Sequence, residues 1–211
     1  MNVKEYIKWI LRIILIVGAG IGLFLGMSPD KWYKLTFYTF QSNALVFLFY
    51  VFIFVNMYKG VRIKNKTNEY TRLKACVTIN ISLTFLVYAI LLAPTVSPDK
   101  MFTVHNLLLH YIVPILCILD WLIFDESGRY KKTDPFLWSL FPIMYCIFAL
   151  VKGGIFRVPI PDEKNSPFPY FFLNLDKIGF GGFIKYLISI LIAYILIGYG
   201  MYFLKRKRIS F

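Results

Sequence analysis

The segment "LLLHYIVPILCILDWLIFD" (107–125) sets an imidazole, a proline and a carboxylate in a run otherwise made of hydrocarbon. Titratable groups are costly in lipid, so His110 and Asp120 each call for a chemical reason. A desolvated imidazole stays neutral and still accepts a proton, which makes His110 the candidate general base. Pro114, at i+4, lacks the N–H that the His110 carbonyl would bond, so a kink is expected there, with room for a polar cavity. Asn106 lies one turn earlier on nearly the same face and is placed to tether the ring. Asp120 sits about 15 Å further along a helix axis, too far to orient His110 as a triad carboxylate does. Its position beside Trp121, near the helix end, suggests an anchor on the cytoplasmic side within reach of basic residues such as Arg129.

A base needs a nucleophile, and "TFYTFQSNALVFLFY" (36–50) offers one. On a helix, Thr36, Thr39, Asn43 and Tyr50 fall within an arc of about 60°, with Ser42 just beside it. Such a stripe also serves as interhelical glue, since hydroxyls and amides hydrogen-bond across membrane helices. If both helices enter from the same face, Thr39 and His110 differ in height by only about 3–5 Å. A hydroxyl and an imidazole at one level are the minimum parts of a nucleophile–base pair. Asn43 or Ser42 would be the nearest candidates to donate to an oxyanion. A metal centre is not expected: on one helix His105 and His110 project about 140° apart, and no acidic or cysteine partner lies near. His105 reads as an interfacial residue. No cofactor is implied.

These side chains must be positioned by membrane-spanning helices. The chain has 211 residues, 58% of them hydrophobic and 19% aromatic, too apolar for a soluble domain of that length. Six apolar runs are long enough to cross a bilayer, roughly 9–27, 36–58, 75–94, 104–124, 135–152 and 183–204. The expectation is an all-α, six-helix polytopic bundle forming a single membrane domain over 1–211. The first run follows Lys4 and Lys8 but is long for a signal core and lacks a small-x-small cleavage site, so it reads as an uncleaved span. Cys76, Cys117 and Cys146 lie inside apolar runs without paired spacing and read as small hydrophobes.

The formal charge of +13 sets orientation. Lys59, Arg62, Lys64, Lys66, Arg72 and Lys74 crowd the second connection, and Arg129, Lys131 and Lys132 the fourth. Lys205, Arg206, Lys207 and Arg208 form the tail, and Lys4, Lys8 and Arg12 the start, whereas the first connection has only Lys31 and Lys34 and the third only Lys100. Both termini are therefore expected in the cytoplasm. The same charges do not indicate a nucleic-acid partner, because the apolar background is wrong for one. The fifth connection, about 153–182, opens with Gly153-Gly154, closes with "GFGG" and carries "SPFPYFFLNLD" between. Its prolines forbid a continuous helix and its aromatics suit the headgroup layer, so it reads as an outer loop lying on or dipping into the interface and gating access.

"FYTFQSNALV", "HNLLLHYIVPILCILDWLIF" and "SPFPYFFLNLDKIGFGG" together resemble the bacterial membrane proteins of the Pr-six-Pr type, which are similar to the eukaryotic androgen-induced and androgen-dependent TFPI-regulating membrane proteins. The resemblance runs over essentially the whole chain, with the motifs in the same order. It implies a multipass hydrolase of fatty acid esters of hydroxy fatty acids that uses an intramembrane threonine and histidine. Carried onto this sequence, these are Thr39, with Thr36 as a register alternative, and His110. The eukaryotic members tend to have a second histidine close before the catalytic one; here His105 stands one position further out. The functional expectation is a lipid-ester hydrolase in a bacterial plasma membrane, its partners being membrane lipids and a lipid-like substrate. The alternatives are a non-catalytic lipid- or protein-binding membrane protein and, with fewer titratable groups than it would need, a transporter.

Overall fold

A computed structural model of the chain describes residues 3–27, 31–59 and 67–206. Among these, six helices are long and apolar enough to cross a membrane: α1 (Val3–Gly26), α2 (Tyr38–Tyr58), α3 (Glu69–Thr95), α4 (Val104–Phe124), α5 (Asp134–Phe156) and α6 (Leu175–Leu204). The described residues form no strand beyond an isolated bridge between Ile160 and Ser166. The protein is thus an all-α polytopic bundle. An even number of spans puts the start of α1 and the end of α6 on one face, called here the terminal face.

The first four spans close into a ring, α1 against α2 and α4, α2 against α3, and α3 against α4. Lipid tails are as apolar as leucine, so close packing and polar pairing must hold such helices together. Two glycines of α1 permit that closeness. A Cβ at Gly22 would come within 2.7 Å of the Leu109 side chain, and one at Gly26 within 2.5 Å of the Phe40 ring. These contacts bring α1 against the residues that flank His110 and Thr39. The remaining spans, α5 and α6, pack outside α3. They meet each other at the terminal face, through Asp134–Trp138, and both pack against the short turn Phe171–Leu173 at the opposite face.

The terminal-face half of the ring is fastened by charge. Asp120 has no exposed surface. It accepts from Arg12 Nε at 2.9 Å and from the Tyr50 hydroxyl at 3.0 Å, and it also pairs with Lys74. One carboxylate therefore ties α4 to α1, α2 and α3. Lys74 pairs in addition with Asp125. Lys205 reaches back from α6 to the carbonyls of Leu122 at 2.8 Å and Asp125 at 2.9 Å. Arg72 of α3 clasps the fully buried Asp134 of α5 at 2.5–2.9 Å.

Several sequence expectations are corrected here. Arg129 pairs with its neighbour Glu126 and not with Asp120. Arg12 and Lys74, counted among the loop and terminal cations that set orientation, are internal partners of a buried carboxylate. Arg62, Lys64, Lys66, Lys207 and Arg208 lie outside the described residues. α1 begins earlier than its apolar core, at Val3, and Lys8 pairs with Glu5 at 2.7 Å in its first turns. α6 begins at Leu175, where Asn174 caps it by accepting from the Lys177 N–H, and it bends at Gly179, whose φ of 66° suits glycine. Together with the extension of α5 to Phe156, this shortens the fifth connection to 157–174.

Breaking a buried ion cluster by removing one member strands the others, at about 3–5 kcal/mol. Asp120→Ala is therefore expected to lower the thermal midpoint of the detergent-purified protein steeply. Glu126→Ala, which opens the exposed pair with Arg129, should change stability by less than about 1 kcal/mol and leave the midpoint nearly unmoved. Equal midpoints in the two variants would refute the clamp.

Candidate active site

α4 reaches His110 through a widened turn. Residues Leu108–Ile112 are π-helical, with the Val113 N–H donating to the Leu108 carbonyl. The irregularity expected at Pro114 takes the form of one wide turn just ahead of it, which absorbs the missing donor by shifting the register of the ladder. The same device recurs in α3. Tyr88–Leu92 is π-helical immediately before Pro94, with the Ala93 N–H bonded to the Tyr88 carbonyl. The two wide turns face each other, and Tyr88 stacks on His110 with ring centroids 3.8 Å apart and 24° between planes.

His110 Nδ1 lies 3.1 Å from the Asn106 carbonyl oxygen. A carbonyl can only accept, so Nδ1 carries the proton and Nε2 of the neutral ring presents a lone pair. Thr39 Oγ1 lies 3.2 Å from that Nε2. The hydroxyl thus donates to an imidazole whose far nitrogen is fixed by backbone. Asn106 acts twice: its carbonyl sets the tautomer, and its side-chain amide donates to the Tyr88 hydroxyl at 2.5 Å and to the Met101 carbonyl at 2.8 Å. The tether expected from its side chain comes from its backbone, while the side chain holds the ring beneath His110. Tyr88 offers its π-face to any imidazolium that forms, an arrangement that favours the cation.

Thr39 is the second residue of α2, following the extended Phe37. Its backbone N–H is one of the unpaired donors at a helix start. That N–H donates to the Tyr170 hydroxyl at 3.3 Å. Tyr170 arrives from the 157–174 connection, whose first part (Arg157–Pro159, Pro161, Lys164, Asn165) is exposed while Ile160 and the stretch Phe168–Asn174 dip into the bundle, with Ile160 and Phe168 almost wholly buried. Burial holds the Tyr170 phenol above its ordinary pKa, so it is protonated at neutral pH.

The remaining candidates take supporting positions. Asn43 donates to the Thr39 carbonyl at 2.8 Å and to the Leu109 carbonyl at 3.0 Å, joining the two site helices. Ser42 donates to the Thr39 carbonyl at 3.2 Å and meets Thr84 Oγ1 at 2.7 Å. Their protons are committed to protein acceptors, so neither is poised as an oxyanion donor. Thr36 belongs to a short 3-10 turn before α2 and donates to the Tyr33 carbonyl, while Tyr50 serves Asp120. The helical stripe expected over 36–50 therefore divides between two places. His105 lies off the site with Nδ1 3.3 Å from Thr103 Oγ1. Among the described residues no group of three metal-ligating side chains occurs. Sequence reasoning missed Tyr88 and Tyr170. Pro94 is the only local sign of the first, and the second sits in the aromatic loop without a distinguishing spacing.

No known family, curated protein or solved structure matches this chain. The chemistry must therefore be read from the geometry.

Thr39 faces a cavity of roughly 810 Å3, its open mouth included, whose walls are almost entirely apolar. Leu83, Val87 and Leu92 of α3 line one side, Ile143 and Cys146 of α5 another, and Leu187, Ile190 and Leu191 of α6 a third. Tyr38 and Tyr194 close it toward the terminal face, Tyr38 donating to Asn80 Oδ1 at 2.9 Å and Tyr194 to the Trp138 carbonyl at 2.7 Å. Tyr170, Phe172 and Leu173 complete its lining from the connection. Ile143 and Leu191 are also exposed on the bundle's outside, so the cavity meets the lipid-facing surface between α5 and α6. An aliphatic chain entering there would lie among hydrocarbon, with its polar end at Thr39.

Phe168 seats the connection over Gly153, where a Cβ would come within 2.3 Å of its ring. Gly153→Ala is expected to displace Phe168 and loosen the Tyr170 segment, costing about 1–3 kcal/mol. Hydrogen exchange over 157–174 should accelerate. Gly154→Ala, whose Cβ meets nothing within 4 Å, should leave exchange unchanged, and parity between the variants would show the seat to be unimportant.

Proposed function

We propose that the chain is an intramembrane hydrolase of lipid esters, with Thr39 as nucleophile and His110 as general base. The observation that carries this reading is the 3.2 Å contact from Thr39 Oγ1 to His110 Nε2 beside an apolar cavity open to the lipid face. A hydroxyl in that contact gives up its proton as it attacks, and Nε2 is the lone pair aligned to take it.

The reaction divides into two displacements. Thr39 Oγ1 adds to the ester carbonyl carbon while its proton passes to His110 Nε2, and the carbonyl π electrons move onto oxygen. Collapse re-forms the carbonyl and expels the alcohol, which takes the proton from His110, leaving an acyl-threonine. Water then adds with His110 again as base, and the acid departs as Thr39 recovers its proton. Tyr88 under the imidazole supports the transient cation, a task that a triad carboxylate performs elsewhere. Asp120 takes no part, being engaged with Arg12 and Lys74 in the other half of the bundle.

The cavity's apolar lining supports a substrate with at least one aliphatic arm, and the family resemblance narrows this to fatty acid esters of hydroxy fatty acids. The excess of cations near the terminal face supports a cytoplasmic position for it, so that Thr39 draws substrate from the outer half of a bacterial plasma membrane.

The test is turnover of a branched fatty-acid ester by purified protein, together with labelling by a fluorophosphonate and mapping of the adduct by mass spectrometry. Wild type should label at Thr39. Thr39→Ala and His110→Ala should each lose at least 10²-fold in turnover, and Thr39→Ser should retain it in part. Full turnover in both alanine variants, or neither turnover nor labelling in wild type, would overturn the reading in favour of a lipid-binding protein that does not cleave its ligand.

A further inference from the structure

We infer that Tyr170 is the oxyanion donor of this site, a reading that rests on the hydrolase assignment above. The side-chain donors nearest Thr39 on its own helix, Ser42 and Asn43, are spent on protein carbonyls. The phenol of Tyr170 is not so spent in its contact with Thr39: its oxygen accepts from the Thr39 N–H at 3.3 Å, which leaves its own O–H to donate elsewhere. Both Tyr170 and Thr39 line the cavity, so an ester carbonyl within reach of Thr39 Oγ1 arrives beside that O–H.

The start of α2 strengthens the donor. Unpaired N–H groups at a helix N-terminus carry partial positive charge. A hydroxyl that accepts from one of them is polarised and donates more strongly in turn, more so where water is excluded. The relay runs from the Thr39 N–H to the Tyr170 oxygen, and from the Tyr170 O–H to the oxygen that gains charge as Oγ1 adds. No bond to hydrogen need break. The phenol donates a hydrogen bond to the tetrahedral oxyanion, and the ester carbonyl re-forms when the alcohol leaves. Its ring is held for this task. It stacks on Phe172 with centroids 5.1 Å apart and planes within 6°, and it meets Phe37 edge-on at 5.7 Å.

This placement assigns the aromatic connection a chemical role besides covering the cavity. The catalytic centre would be assembled from three parts of the chain: the nucleophile from α2, the base from α4 and the oxyanion donor from the 157–174 connection.

Tyr170→Phe keeps the ring and removes the hydroxyl. It should lower kcat on the ester 10²–10³-fold with KM changed less than about threefold, and slow fluorophosphonate labelling of Thr39 in parallel. Replacement of Tyr170 by 3-fluorotyrosine, a more acidic phenol, separates this role from capping of α2. It should keep near-neutral turnover and move the alkaline loss of activity to lower pH, because the ionised phenol has no proton to donate. If wild type turns over ester and Tyr170→Phe stays within twofold of it, the Tyr170 role is wrong and the hydrolase reading stands. The Tyr170 role is equally wrong if the fluorinated protein keeps the wild-type alkaline limb. If wild type neither turns over ester nor labels, the hydrolase reading fails and takes this role with it.

Discussion

A polar side chain in hydrocarbon has no water to fall back on, so it must find its partner inside the protein. Asp120 expresses that constraint most fully. With no exposed surface it gathers a guanidinium, an ammonium and a phenol from three neighbouring helices. The desolvation of those charges is severe, and in the observed arrangement of α1 to α4 each of them has a partner. Apolar packing alone would let these helices slide or rotate past one another at little cost, because lipid replaces each contact with an equivalent one. The charge cluster fixes register, and α1 with its close-approach glycines follows.

The opposite half of the same bundle obeys the same constraint with neutral groups. Thr39, Ser42, Asn43, Thr84, Tyr88 and Asn106 pair with one another or with nearby backbone, and His110 is drawn into that network from both ring nitrogens. The two halves divide labour by charge. Ionised groups, which bind strongly and tolerate little movement, hold the helices at one end. Neutral groups, which exchange partners more cheaply, lie beside the cavity, where a reaction would need protons to move.

Proline governs the local geometry of that second half. Both α3 and α4 widen by one residue just before a proline, and the aromatic pair Tyr88–His110 forms where the two wide turns meet. A wide turn rotates the following residues and projects side chains at angles that a regular helix does not supply. The third proline-rich element, the 157–174 connection, is ordered for a different reason. Its aromatics are too apolar to stay in water and too interrupted by proline to form a span, so they fill the gap between α5 and α6 and deliver Tyr170 onto the start of α2.

Composition and periodicity determined the class of fold, because a span is defined by about 20 apolar residues and nothing tertiary alters that. They also determined that Thr39 and His110 lie at one height, since residue count from the helix ends measures depth. Rotation about each helix axis and choice of neighbour were decided by the tertiary structure. So was the identity of partners: Asp120 with Arg12 and Lys74, not Arg129; Asn106 through its carbonyl; Tyr50 drawn away from the stripe it shares with Thr39. Arg12 and Lys74 were legible as cations but not as buried ones, because charge statistics assign them to an interface and only a facing carboxylate can draw them inward. Tyr170 was legible only as one aromatic among many. Its distinction is a contact across more than a hundred residues of chain, made because an unpaired helix N–H and a buried phenol each need a partner.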